Sequence, residues 1–245
     1  MKTINNVATL TNVNGVGVIA INFPPVNALS ASVRDGIHGA MQAAIADPAI
    51  DAVVLRCEGS TFIAGADITE FGKPPAGVSL GEVQRILEES PKPVVAAIHG
   101  TALGGGLEVA LVCHYRIAAP TARLGLPEVN IGLLPGAGGT QRLPRIVGPE
   151  AALEMMTSGA HVRAKDALQS GLLDELAPED DLSGAAVALA RRVVDEKRPL
   201  RKIRDQNEKV EAARGHPEIF AQFRQANAKK FRGFEAPKKI IECVE

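Results

Sequence analysis

One pattern limits the fold of this chain more than any other. An apolar strand, a turn that carries glycine and an apolar helix follow one another, and the order recurs. "PVVAAIHG" (residues 93–100) is strand-like, "GGGLEVALV" (104–112) opens a helix, and "YRIAAP" (115–120) returns as a strand. An earlier round reads "DAVVLRCEG" (51–59), a short buried strand, then the glycine-bearing "STFIAGADI" (60–68) and a short helix capped by Asp67. Such alternation indicates an α/β chain rather than separate all-α and all-β parts. The first 22 residues read as a hairpin, with strands at 7–10 and 16–21 and Asn14-Gly15 as the turn signal. "FPPVNALS" ends that hairpin at two prolines and delivers Ser30 as an N-cap. Val33, Ile37, Ala40, Met41, Ala44 and Ile45 then recur at helical spacing to about Asp47. After Gly148 the segments "PEAALEMMTSG", "AKDALQSG" and "SGAAVALARRVVDEKR" are helix-like. Residues 1–190 are therefore expected to form an α/β core and residues 191–245 a helical C-terminal region.

At 245 residues there is ample chain for a large core. Charge narrows the partners. The net charge is -1 and aromatic residues make up 3% of the chain, with no Trp. That composition disfavours stacking on single-stranded nucleic acid and electrostatic capture of DNA or an anionic membrane. The charge is unevenly spread, however. Residues 191–245 hold 15 Lys/Arg against 9 Asp/Glu, and residues 1–190 hold 12 against 19. This basic tail reads either as a solvated helical segment or as a holder for a phosphorylated ligand. Cys57, Cys113 and Cys243 form no CxxC, and the five histidines show no ligand-like pairing, so no metal site is expected. Cys113 and His114, read as strand neighbours, point to opposite faces and make no nucleophile–base pair. No leader-like or 18-residue apolar run is present, and a cytoplasmic location is the expectation.

The chemistry is concentrated in three segments. "FIAGADI" and "ALGGGLE" each follow a strand and place small residues where backbone can approach a ligand. Two such turns, each offering an N–H, are what an oxyanion hole needs, although either alone reads equally as a tight turn. Glu108 stands two residues past the last glycine of "GGGLEVALV", and Glu128 follows Pro127 in "LGLPEVNIGLL". Carboxylates in apolar company have tunable proton affinity and suit acid–base work on a carbonyl compound. The alternative is a structural role, capping or bridging to Arg116 or Arg142. No nucleotide fingerprint of the G-x-G-x-x-G or P-loop kind and no G-x-S-x-G elbow occurs.

"FIAGADI", "GTALGGGLEVAL" and "GLPEVNIGLLPGAGGTQRLPR", in this order and spacing, closely resemble the enoyl-CoA hydratase/isomerase (crotonase) superfamily. Within it they look most like the hydratase/isomerase portion of bifunctional β-oxidation enzymes. The resemblance implies a crotonase-like spiral of repeated ββα units with C-terminal helices. It implies an acyl-CoA thioester as substrate, no separate cofactor, and hydration of trans-2-enoyl-CoA, with Δ3,Δ2-enoyl-CoA isomerisation as a second activity. The thioester oxygen would lie between the N–H groups of Ala66 and Gly105, with Glu108 and Glu128 as the acid–base pair. Coenzyme A would meet the main chain around Ala64, Ala66, Asp67, Ile68 and Gly105. The resemblance leaves two assemblies open, a homotrimer or fusion to a 3-hydroxyacyl-CoA dehydrogenase that residues 191–245 would lead toward. Rival readings are another crotonase-type enzyme (dehalogenase, decarboxylase or hydrolase) and a non-catalytic acyl-CoA-binding module. "FGKPPAGVSLG" (71–81), rich in Pro and Gly, is expected to be mobile.

Overall fold

The computed structural model describes residues 1–245. β1 (Lys2–Thr3), β2 (Ala8–Val13) and β3 (Val16–Ile21) form an antiparallel meander. Its hairpin turn is made by Asn14 and Gly15, both at positive φ as a type I′ turn requires. α1 (Ala31–Ala46) is capped by the Ser30 hydroxyl, which accepts from the Val33 N–H, and leads to β4 (Ala52–Cys57) beside β3. α2 (Leu80–Glu88) precedes β5 (Val94–Ile98) and β6 (Thr101–Leu103). α3 (Gly105–Val112) precedes β7 (Tyr115–Ala118) and β8 (Arg123–Gly125). There follow α4 (Gly139–Val147), α5 (Pro149–Ser158), β9 (Val162–Arg163), α6 (Ala164–Ser170), β10 (Glu175–Leu176) and α7 (Leu182–Asp195). α8 (Glu208–Glu211), α9 (Glu218–Asn227) and α10 (Ala236–Val244) complete the chain. No helix is long and apolar enough to cross a membrane.

The main sheet has seven strands in the order β1-β2-β3-β4-β5-β7-β10, parallel from β3 onward. A second, three-stranded sheet has the order β6-β8-β9. Together they reveal the ββα unit. β5 lies in the main sheet, β6 in the small one, and α3 follows; β7, β8 and α4 repeat the arrangement. The unit before them is β4, then a strand reduced to a single bridge pairing Ile63 with Ala102, then α2. The register aligns Ile63, Ala102 and Leu124 in one row across these three units.

Both faces of the main sheet are covered, which explains the unbroken apolar runs of its parallel strands. Val53 and Leu55 of β4, with Val94, Ala96 and Ile98 of β5, face the large core. Ala52, Val54, Val95 and Ala97 point the other way and pack on Leu182, Ala186, Leu189, Ala190 and Val193 of α7. Residue 190 therefore lies within a helix that covers the sheet, and the division expected there does not coincide with the end of an element. Every residue of α3 is buried, the mark of a helix at the centre of a domain. Cys113 and His114 are not strand residues. They fill the turn between α3 and β7, where buried His114 accepts from the Val94 N–H through Nδ1.

The basic tail divides in two: its distal cations, Lys229, Lys230 and Arg232 among them, are solvent-exposed as expected, while its first cations are tied to the core. Arg191 pairs with Asp51, Arg192 with Glu175, Arg201 with Asp174, Lys202 with Glu89, and Arg204 with Glu88 and Glu89. Five cations of the C-terminal region are thus paired with carboxylates of the core. The Pro- and Gly-rich segment is anchored too. Arg34 of α1 donates to the carbonyls of Val78 and Ala76 and pairs with Glu70 at 2.9 Å, and the Val78 N–H donates to Asp35.

Candidate active site

The three units deliver the expected site residues at corresponding positions. Three residues beyond Ile63 stands Ala66, three beyond Ala102 stands Gly105, and Leu124 is followed four residues on by Glu128. Each lies where the second strand of its unit gives way to helix. The first two backbones meet: the Ala66 nitrogen is 3.9 Å from the place a Cβ on Gly105 would occupy. Neither the Ala66 nor the Gly105 N–H is spent on a turn, loop or cap hydrogen bond. The glycine run has a distinct reason at two of its positions. Gly104 sits at φ +53, a conformation that penalises any side chain, and a Cβ on Gly106 would run into the Ile63 carbonyl.

Ala64 lies one step back in the same loop. Its N–H donates to the Val26 carbonyl at 3.2 Å, so only its own carbonyl is left for a ligand. Asp67 caps a short 3-10 helix (Ile68–Glu70) by accepting from the Thr69 N–H, and those bonds hold its carboxyl below the usual range. Ile68 is 72% exposed and Phe71 56%. The loop that holds these groups is fixed from below by Asn27, whose side-chain amide donates to the Glu58 and Thr61 carbonyls and whose oxygen accepts from the Phe23 N–H.

Glu108 is 3% exposed, on the first turn of α3. Its Oε1 accepts from the N–H groups of Ala137 and Gly139, both at 2.8 Å, at the N-terminus of α4. Both bonds end on one oxygen, and Oε2 takes no part in the clamp. Burial lifts its proton affinity above the ordinary carboxylate range, while the Gly139 and Ala137 amides and the charge of Arg142 oppose the rise. A Cβ at Gly139 would stand 3.0 Å from Oε1 and 2.9 Å from Leu126, so those side chains would have to shift to admit one.

Glu128 lies on the 3-10 helix Pro127–Ile131. Its Oε1 is 3.2 Å from the place a Cβ on Gly104 would occupy, beside the glycine run, and its buried Oε2 has no hydrogen-bond partner. Its pKa is pushed up to about 7. Burial is the main cause, a bond to its own backbone N–H opposes it, and the charge of Glu108 adds to the rise. The two carboxylates therefore lie close enough for the charge of Glu108 to act on Glu128. Arg142 and Arg116 bridge neither of them. Arg142 takes Glu88 through two 3.0 Å bonds, and Arg116 takes Asp174. Gln84, Glu88, Asn27 and Arg142 in its actual role escaped the sequence reading, because their partners lie 24 to 54 residues away.

The model of the enoyl-CoA hydratase/isomerase family matches residues 11–242. The chain belongs to that family. Among relatives of this hydratase/isomerase-family chain, a peroxisomal bifunctional enzyme of Danio rerio is 46% identical over 94% of the chain. The match covers 32% of that enzyme, so the chain spans about a third of the length of such bifunctional relatives. A probable enoyl-CoA hydratase of Bacillus subtilis is 43% identical, with 74% of the chain and 73% of the relative covered. The crystal structure of an enoyl-CoA hydratase from Bacillus anthracis superposes with a TM-score of 0.70, at 32% identity over 76% of each chain. The expected cytoplasmic location gains nothing from these relatives, since the name of the first is peroxisomal.

Proposed function

We propose that the chain adds water to a trans-2-enoyl-CoA in fatty-acid β-oxidation. The observation that carries this reading is the pair of unlike neighbouring carboxylates, with Glu128 beside the glycine run that bears one of the two unspent amides. Glu108, clamped by two N–H donors that favour its ionised form, takes a proton from water as its oxygen attacks Cβ. The electron pair of the double bond moves toward the thioester, whose developing oxyanion is held by the Ala66 and Gly105 N–H groups. Glu128, with a pKa near 7, carries the proton that goes to Cα. Exchange with solvent then returns Glu108 to its ionised and Glu128 to its protonated form. Two titratable groups driven apart by their surroundings divide the base and acid roles between them.

Coenzyme A in this reading lies along the Ala64, Ala66, Asp67, Ile68 and Gly105 main chain, and the acyl-CoA is substrate rather than cofactor. A second activity follows from the placing of Glu128. A group able to give a proton to Cα can, when ionised, remove one from Cα and return it at Cγ, which converts a 3-enoyl-CoA to its 2-enoyl isomer. The length of the bifunctional relatives supports a further reading, that the chain works beside a 3-hydroxyacyl-CoA dehydrogenase. The test is loss of absorbance of the conjugated enoyl thioester on addition of the protein, with a 3-enoyl-CoA run in parallel. Tight acyl-CoA binding without turnover would instead leave a binding module.

A further inference from the structure

We propose that Gln84, Arg142 and Glu88 are positioning residues that set the two-amide clamp on the Glu108 carboxylate. This inference rests on the reading of Glu108 as a reacting group. The clamp is built on "PGAGG" (135–139), a segment with three glycines and little stiffness of its own. Three consecutive peptide groups matter. The first supplies the Ala137 N–H and the third the Gly139 N–H. The middle one contains the Ala137 carbonyl, and its orientation fixes the angle between the two donors.

That carbonyl is pinned from α2 and α4 together. The Gln84 side-chain amide donates to it at 2.8 Å, and Arg142 Nη1 at 3.4 Å. Gln84 is buried, and the same amide nitrogen lies 3.3 Å from the backbone carbonyl of Glu108 itself. One side chain thus spans both the catalytic helix and the loop that clamps its carboxylate. Arg142 is fixed in turn by the bidentate pair with Glu88, which is 2% exposed. Glu88 Oε2, which accepts from Arg142, also meets Arg204 of the C-terminal region at 3.2 Å. Gly138 belongs to the same device. It sits at φ +92, and a Cβ there would overlap the Arg142 guanidinium. A glycine is required at that point for the arginine to fold back on its own loop.

The charged groups facing Glu108 are Arg142 of α4 and Glu128 of the 3-10 helix. Loosening the amide donors or removing the cation weakens the ionised form of Glu108, so its titration midpoint rises in either case. The decisive variant is Gln84→Met, which removes the amide and introduces no charge. Its kcat for hydration is expected to fall ~10- to 100-fold, since a misplaced reacting group costs on this order. KM for the enoyl-CoA stays within about twofold, because no substrate-binding group is lost. The acid limb of the kcat profile moves to higher pH. Arg142→Met moves it further, and Arg142→Lys returns the limb toward the parent position while kcat stays low, because an ammonium restores charge but not the bidentate geometry. The Glu108 carboxyl is followed directly by NMR titration of protein labelled with 13C at the glutamate carboxyls, its signal assigned by Glu108→Gln. Thermal unfolding and binding of a saturated acyl-CoA report the fold of each variant.

A lowered Tm with an unmoved Glu108 midpoint and parent kcat below that Tm would show that Gln84 merely braces the core, and would overturn the proposal. So would a fall in affinity for the saturated acyl-CoA with kcat unchanged. If the parent protein titrates with the predicted response but hydrates nothing, the clamp stands and the assigned reaction falls.

Discussion

Glu108 and Glu128 are neighbours held in opposite ways. Glu108 belongs to a buried helix, and its Oε1 is met by two amides from a glycine loop. Glu128 belongs to a short 3-10 helix, and one of its oxygens has no partner at all. Both lose water, and burial raises the proton affinity of both. What separates them is the supply of donors. The comparison teaches that desolvation opens the range of a carboxyl group, and hydrogen bonds choose where in that range it settles.

The largest break in this comparison is to remove either charge. Glu108→Gln and Glu128→Gln are each expected to lower kcat for hydration by ~10²–10⁴, the span of a lost acid–base group, with acyl-CoA binding retained by calorimetry. A variant with near-parent turnover removes that residue from the reaction. A smaller change disturbs the clamp alone. Gly139→Ala places a methyl 3.0 Å from Oε1 and 2.9 Å from Leu126, and should cost ~10²-fold in kcat, read in the same assay.

The pH response separates the two activities. Hydration consumes the protonated form of Glu128, so its rate should decline as pH rises through about 7. Isomerisation begins from the ionised form and should climb over the same interval. Parallel profiles for the two reactions would mean that Glu128 does not serve both.

Stability offers a gentler test. The Glu128 pKa is raised in the folded chain, so its contribution is fully present below the unfolded value near 4.5 and is lost as pH rises through about 7. Glu128→Gln should therefore stabilise the protein at pH 8 by ~1–3 kcal/mol, measured by urea unfolding, while lowering its turnover. At pH 4 the gain should vanish. The smallest effect is expected from Glu89→Gln. It weakens exposed, solvent-screened pairs with Lys202 and Arg204 at the rim of the same network, so the urea midpoint should barely move.

Much of this was legible one segment at a time. The Asn14-Gly15 turn, the Ser30 cap and the period of α1 are written in adjacent residues, and the structure returns them with small shifts in the boundaries. β2 runs on to Val13, and the "STFIAGADI" segment, read as a turn, also makes a single bridge at Ile63. The glycines and the two glutamates could be singled out because an apolar context makes a lone carboxylate conspicuous. Relations across the chain could not be read. Nothing local in "EVQRILEES" says that Gln84 reaches the Ala137 carbonyl or that Glu88 holds Arg142. The tail shows the same limit. Its surplus of Lys and Arg looked like a surface property, and only the fold sets Arg191 against Asp51 and Lys202 against Glu89.

The row formed by Ile63, Ala102 and Leu124 has a consequence for how this site can vary. Because the two amides and Glu128 follow that row by three, three and four residues, the site is a matter of phase between successive coils of the chain. A side chain exchanged on the outer surface leaves the phase alone. One residue inserted between Ala102 and Gly105 would advance a single coil, swing its amide out of step with the neighbouring loop, and silence the site without altering any of the groups that react.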